Sequence, residues 1–153
     1  MAGRTPVAMV LPFGKAYRLI HGGGYHHRPT NMFGVKMAKE INAPCDVDIP
    51  TVDFSIPPEQ AMRDGIKKTL WQITLNKPVL VGCYGGIGRT GLFLGVLVRV
   101  LGEKDPVKYV REHYYAHAIE TQQQQDFVNN MPLGNLPILA KGAKLIARVY
   151  DYL

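Results

Sequence analysis

Cysteine is nearly missing from this chain: Cys45 and Cys83 are the only two in 153 residues, and Trp71 is the only tryptophan. Two thiols cannot build a disulfide framework or a zinc cluster. The expected setting is therefore a reducing interior in which thiols stay free, and the expected location is cytoplasmic. No run approaches the roughly 18 apolar residues that a membrane helix requires, so no membrane span is expected. The stretch Met1 to Val10 carries Arg4 and Pro6 and has no long apolar centre, so it does not read as a secretion signal. Basic tracts of the kind that mark a nucleic-acid arm are also lacking, the positive residues being scattered in pairs such as Lys67 and Lys68. The net charge of +6 nonetheless favours anionic partners.

What is present suits one packed unit. With 46% hydrophobic residues, the chain has enough apolar material for one substantial core, and residues 1–153 read as a single domain. Val7 to Leu11 and Tyr17 to Ile20 read as short strands at a sheet edge, with Gly22-Gly23-Gly24 as a turn after them. The prolines between Val47 and Pro58 bar regular helix and leave Asp53 in an extended or loop setting. Met62, Ile66, Leu70 and Ile73 recur at helical spacing and predict an amphipathic helix from Pro58 to about Leu75. Val79-Leu80-Val81 reads as a buried parallel strand with Cys83 just beyond its carboxyl end. The apolar stretch Thr90 to Leu101 reads as a buried helix stopped by Gly102. Asp105-Pro106 opens a helix to about Tyr115, Thr121 caps another through Asn130, and Ile138 to Leu153 forms the last. The expected fold class is α/β, a central and mostly parallel sheet flanked by helices.

The chemistry concentrates in Val81-Gly82-Cys83-Tyr84-Gly85-Gly86-Ile87-Gly88-Arg89-Thr90-Gly91. Glycines let a loop curl its N–H groups inward into an anion-binding nest, and the following helix adds its positive end. Such surroundings favour a thiolate, which is the nucleophilic form of cysteine. Arg89, six positions after Cys83, can return across the loop and present a planar fork to two phosphate oxygens. Cys83, Tyr84, Gly85, Gly86, Ile87, Gly88 and Arg89 are the candidate phosphate-binding residues, and the Thr90 hydroxyl stands close to the thiol.

Cys-x-x-x-x-x-Arg-Thr-Gly between a strand and a helix resembles the signature of the protein tyrosine phosphatase superfamily, and the chain length is similar to its small dual-specificity branch. The resemblance covers roughly Val47 to Val128. It implies the phosphotyrosine protein phosphatase fold and hydrolysis of phosphate monoesters, chiefly phosphotyrosine with phosphoserine and phosphothreonine as further substrates. No metal or other cofactor is implied. Cys83 would attack phosphorus, Arg89 and the loop amides would bind the equatorial oxygens, and Thr90 would assist thiolate release. The family takes its leaving-group proton from an aspartate about thirty residues upstream. Asp53 occupies that position, with Asp48 as fallback. The segment Ala118 to Val128 resembles the family's water-positioning segment, which implies that role for Gln124 or Glu120. Many members carry His before the cysteine, where this chain has Gly82. The implied partner is a phosphorylated protein. Phosphoinositide lipids, RNA 5′-triphosphate ends and a catalytically inactive phosphate-binding module are the alternatives; the loop holds no lysine and the chain no long basic tract.

Other residues receive plainer readings. His21, His26 and His27 lack completing carboxylate or cysteine ligands and predict no metal. Tyr84 and Tyr25 are placed either at the pocket or in half-buried structure, and Trp71 in the core. Cys45 is not paired with Cys83. Arg63, Lys67 and Lys68, and Lys141, Lys144 and Arg148, read as solvated helix faces.

Overall fold

The computed structural model describes residues 3–153, so the reading of the amino end falls partly outside the described residues. The chain runs β1 (Val7–Val10), β2 (Leu19–Gly24), a short 3₁₀ turn (Tyr25–His27), β3 (Phe33–Ala38), β4 (Val47–Thr51), α1 (Glu59–Thr74), β5 (Val79–Cys83), α2 (Gly88–Val100), α3 (Pro106–His113), α4 (Gln122–Asn130) and α5 (Leu136–Asp151). The five strands form one mixed sheet in the order β1-β2-β5-β3-β4. Only the β1–β2 pair is antiparallel. The helices flank this sheet, α1 contacting β3, β4 and β5 and α2 contacting β2, β3 and β5.

Strand β5 is last in sequence and central in space, and all five of its residues are buried. A central parallel strand covered on both faces needs an unbroken apolar run, which Val79-Leu80-Val81 supplies. Ligands of open α/β sheets bind beyond the carboxyl ends of such strands. Cys83 sits at that end as the final strand residue, one position inside the expected boundary.

Three expectations need correction. Gly22-Gly23-Gly24 is not a turn: these residues belong to β2 and pair with Val81, Gly82 and Cys83. The glycines serve close approach. A Cβ on Gly22 would lie 2.7 Å from the Tyr114 ring, and one on Gly23 would lie 2.9 Å from Pro6 Cα. Strand β3 was not expected, because Gly34 and Lys36 interrupt its apolar pattern. Lys36 is buried there by donating to the Ile41 carbonyl, with Asp48 at 3.6 Å. Trp71 is not core, being 53% exposed. Its position falls outside the buried α1 stripe of Met62, Ile66, Thr69, Leu70 and Ile73 and borders a groove between α1 and α5.

Local signals set the helix ends. Asp105 accepts from the Lys108 N–H ahead of Pro106, and Thr121 with Gln124 forms a reciprocal capping box. At the end of α1, Asn76 adopts φ +57°, the left-handed geometry typical just past a helix. The carbonyls left free there are met by a buried side chain: Arg18 donates from Nε to Ile73 O at 2.7 Å and from Nη2 to Thr74 O at 3.0 Å. The same guanidinium grips both oxygens of Asp151 at the end of α5, at 3.0 and 2.7 Å. Arg18 therefore clamps the ends of α1 and α5 together. No helix among the described residues is long and apolar enough to cross a membrane.

Replacing Arg18 by Met leaves two helix-end carbonyls without their buried donor, while the exposed Asp151 returns to water. Arg18→Met is expected to lower unfolding free energy by about 2 kcal/mol in urea titration, with the fold retained.

Candidate active site

The loop Tyr84 to Ile87 leaves the end of β5 and enters α2 at Gly88. Gly86 takes φ +79°, a conformation that side chains resist, and turns its N–H onto Cys83 Sγ at 3.2 Å. Thr90, one turn into α2, donates its hydroxyl to the same sulfur at 3.1 Å. Cys83 is 3% exposed and sits at the floor of a cavity of about 230 Å³. Gly82, where the resembling family often has His, has no room for a side chain: a Cβ would lie 2.6 Å from Tyr25 Cα. The backbone of the 3₁₀ turn has taken that space.

Arg89 is 1% exposed and is not among the residues that line this cavity, although its partners Glu40 and Asp53 are. Its fork is already gripped. Nη1 donates to Glu40 Oε1 at 2.8 Å and to Thr51 O at 2.8 Å, and Nη2 donates to Glu40 Oε2 at 2.7 Å. Nε has no hydrogen-bond partner although it is buried, and Asp53 Oδ1 stands 3.5 Å from it. A buried, unused N–H on a cation is an open demand for an acceptor. Burial alone would lower the Arg89 pKa; the hydrogen bonds to Glu40 and the charges of Cys83 and Asp53 outweigh it and raise it. Glu40 answers in kind, its carboxyl held at about 2 chiefly by the Arg89 hydrogen bonds.

Asp53 and Glu120 line the same cavity as Cys83, together with Phe54 and Tyr84. Asp53 stands on the loop after β4, its side chain 55% exposed. Its Oδ1 accepts the N–H of Phe54, which is itself at φ +60°. Glu120 follows Ile119, another left-handed residue at φ +61°, and its carboxylate fills the space above Gly88. Burial and then the neighbouring Asp53 push the Glu120 carboxyl above its ordinary range, with Arg89 acting in the opposite sense. Gln124 is placed differently. Its side chain is buried, its Oε1 accepts from the N–H groups of Glu120 and Thr121, and its Nε2 donates to Ser55 O at 3.1 Å. It braces the Asp53 loop against α4 and does not line the cavity.

The structure thus brings Cys83, Arg89, Thr90, Asp53 and Glu120 to one place. Sequence reasoning missed Glu40, which lies 49 positions from Arg89 and carries no local motif. Asp48 points elsewhere, toward Lys36. Tyr84 is at the mouth, its ring in edge contact with His26, whereas the Tyr25 hydroxyl is tied to Pro44 O at 2.6 Å. His27 faces Gly3 O, and among the described residues no three His, Cys, Asp or Glu side chains come together as a metal site. Cys45 and Cys83 are both free thiols.

No family model matches the chain. It is similar to two uncharacterized proteins of Methanocaldococcus jannaschii. MJ0215 is 39% identical over 80 residues, which are 52% of this chain and 50% of that protein. MJECL20 is 35% identical over 80 residues, 52% of this chain and 54% of that protein. The chain spans about half the length of these curated relatives.

Because the Glu40 carboxyl sits at about 2 in the folded chain against an ordinary 4.5, its pairing stabilises the fold fully above pH 4.5. That contribution drains away as pH falls toward 2. Glu40→Gln is expected to flatten this acid limb when denaturation midpoints are measured against pH.

Proposed function

We propose that this chain is a cysteine-dependent phosphatase with the phosphotyrosine protein phosphatase fold, hydrolysing phosphate monoesters of proteins. The observation that carries the reading is the buried Arg89 Nε, which has no hydrogen-bond partner and stands 3.5 Å from Asp53, in the same site as a thiol that already receives a loop N–H and a hydroxyl. A phosphoryl group seated there supplies the missing acceptor.

In the first step the Cys83 thiolate attacks phosphorus while the bond to the leaving oxygen breaks. Asp53 gives its proton to that oxygen. Arg89 Nε and the loop amides hold the phosphoryl oxygens as charge shifts onto them. In the second step water attacks phosphorus and gives its proton back to Asp53. The P–S bond breaks, and the departing thiolate is received by the Thr90 O–H and Gly86 N–H. Glu120 is assigned the water-positioning role, because the Gln124 carboxamide is engaged in its brace between the loops.

Phosphotyrosine is the favoured substrate, with phosphoserine and phosphothreonine also within reach. The aromatic pair Phe54 and Tyr84, 58% and 47% exposed, offers flanking surfaces for a phenyl ring at the mouth. Glu40, Asp53 and Glu120 all line the cavity, and no lysine does. That lining repels polyphosphorylated lipid head groups and RNA 5′-triphosphates. A pure binding module has no use for the Asp53 carboxyl. The chemistry needs a reduced thiol, which fits the proposed cytoplasmic location.

The purified chain is expected to hydrolyse p-nitrophenyl phosphate in the presence of a metal chelator and to be inhibited by vanadate. Cys83→Ser is expected to abolish turnover. A wild-type chain without turnover would falsify the enzyme reading and leave the binding module. Asp53→Asn should slow aliphatic phosphoesters by about 10²- to 10⁴-fold and p-nitrophenyl phosphate far less; equal losses remove Asp53 from the acid role. Across a substrate panel, kcat/KM for singly phosphorylated tyrosine peptides is expected to exceed that for inositol polyphosphates and triphosphorylated RNA by at least about tenfold.

A further inference from the structure

We propose that the backbone of Arg4 and the hydroxyl of Tyr114 set the direction in which the loop after Cys83 presents its N–H groups, making residues 3–6 a working part of the anion site. The inference rests on the phosphate-binding reading of that loop.

Peptide planarity couples the back of the loop to its front. In a trans peptide unit the C=O and the N–H point in opposite directions, so fixing one fixes the other. The Gly85 carbonyl accepts the Arg4 N–H at 3.1 Å, and the N–H of that same peptide unit, on Gly86, reaches Cys83 Sγ at 3.2 Å. The Gly86 carbonyl accepts the Tyr114 hydroxyl, and the N–H of that unit belongs to Ile87, which lines the cavity. Two carbonyls tied from behind therefore turn two successive amides toward the front. Glycine leaves both units free to flip when untied: Gly86 sits at φ +79°, and a Cβ on Gly85 would meet nothing within 4 Å.

The ties are themselves anchored. The Arg4 carbonyl accepts the N–H of Gly24, the strand residue paired with Cys83. The Arg4 guanidinium lies 3.6 Å from the centre of the Tyr115 ring, a cation–π contact that fixes the segment sideways. Gly3, at φ +71°, packs so closely that a Cβ would lie 2.3 Å from the Tyr84 carbonyl oxygen. Tyr114 is 7% exposed, and burial followed by the charge of Cys83 pushes its hydroxyl pKa up, so it stays a donor. Arg4 and Tyr114 act through the loop and are positioning residues.

Arg4→Pro removes the N–H, whereas Arg4→Ala keeps it and removes only the side chain. Binding of tungstate, measured by calorimetry without any turnover, is expected to be about ten- to hundredfold weaker in Arg4→Pro than in Arg4→Ala. Tyr114→Phe is expected to lose about tenfold relative to wild type, and it carries the test by itself if Arg4→Pro does not fold. Adding Gly85→Ala, which narrows the loop's freedom, is expected to recover part of the loss in Arg4→Pro. Folded Arg4→Pro and Tyr114→Phe that bind tungstate as tightly as Arg4→Ala and wild type overturn the proposal. A wild-type chain that shows this binding pattern yet hydrolyses no p-nitrophenyl phosphate keeps the positioning inference and sinks the phosphatase reading. A chain that binds no tungstate sinks both.

Discussion

A guanidinium taken almost wholly out of water must be matched by a carboxylate, and the Arg89–Glu40 pair is the match on which the site is built. Arg89 is 1% exposed, and Glu40 takes two of its donors. An unmatched charge at such a position costs several kcal/mol by general estimates, enough to move the side chain or disrupt the helix start. Because Glu40 follows β3 and the Thr51 carbonyl ends β4, the grip ties the ends of these two strands to the helix that follows β5. The Nε–H faces Asp53 at 3.5 Å and has no hydrogen-bond partner. The geometry of the site is the residue of a charge-matching problem in which three of the five guanidinium N–H donors are engaged and one plane holds them all.

The second constraint is space. Glycines at 22, 23, 82 and 86 let backbones and rings meet at distances that a methyl group would block. They bring the amino-terminal segment, the 3₁₀ turn, Tyr114 and the loop after Cys83 into one layered contact. Glycine at position 82 is a consequence of this packing, since Tyr25 occupies the place where a side chain would begin.

How much of this could be read from the sequence depended on whether the cause was local. Helix α1, the Asp105 and Thr121 caps and the buried run of β5 follow from spacing and capping within a few residues, and the structure holds them with small shifts of boundary. Cys83 and Thr90 meet because one loop and one helical turn join them. Glu40 was illegible, since nothing near it announces a partner 49 positions away. The glycine run was misread because its reason is tertiary: each residue is small for the sake of something that arrives from elsewhere in the chain. Trp71 was misread because composition says what a side chain prefers, and its place on α1 put it beside the buried stripe. Gln124 was recognised by its register, whereas its hydrogen bonds tie it to Ser55 and the cap.

The outer strand β4 carries Pro50 at a solvent-facing position and Asp48 two residues before it, both exposed. A proline has no N–H to offer a newcomer, and a carboxylate resists burial against a stranger's backbone. The sheet therefore ends at β4 by its own chemistry, and a misaligned neighbour in a crowded solution finds that border poorly suited to strand-by-strand growth into aggregates.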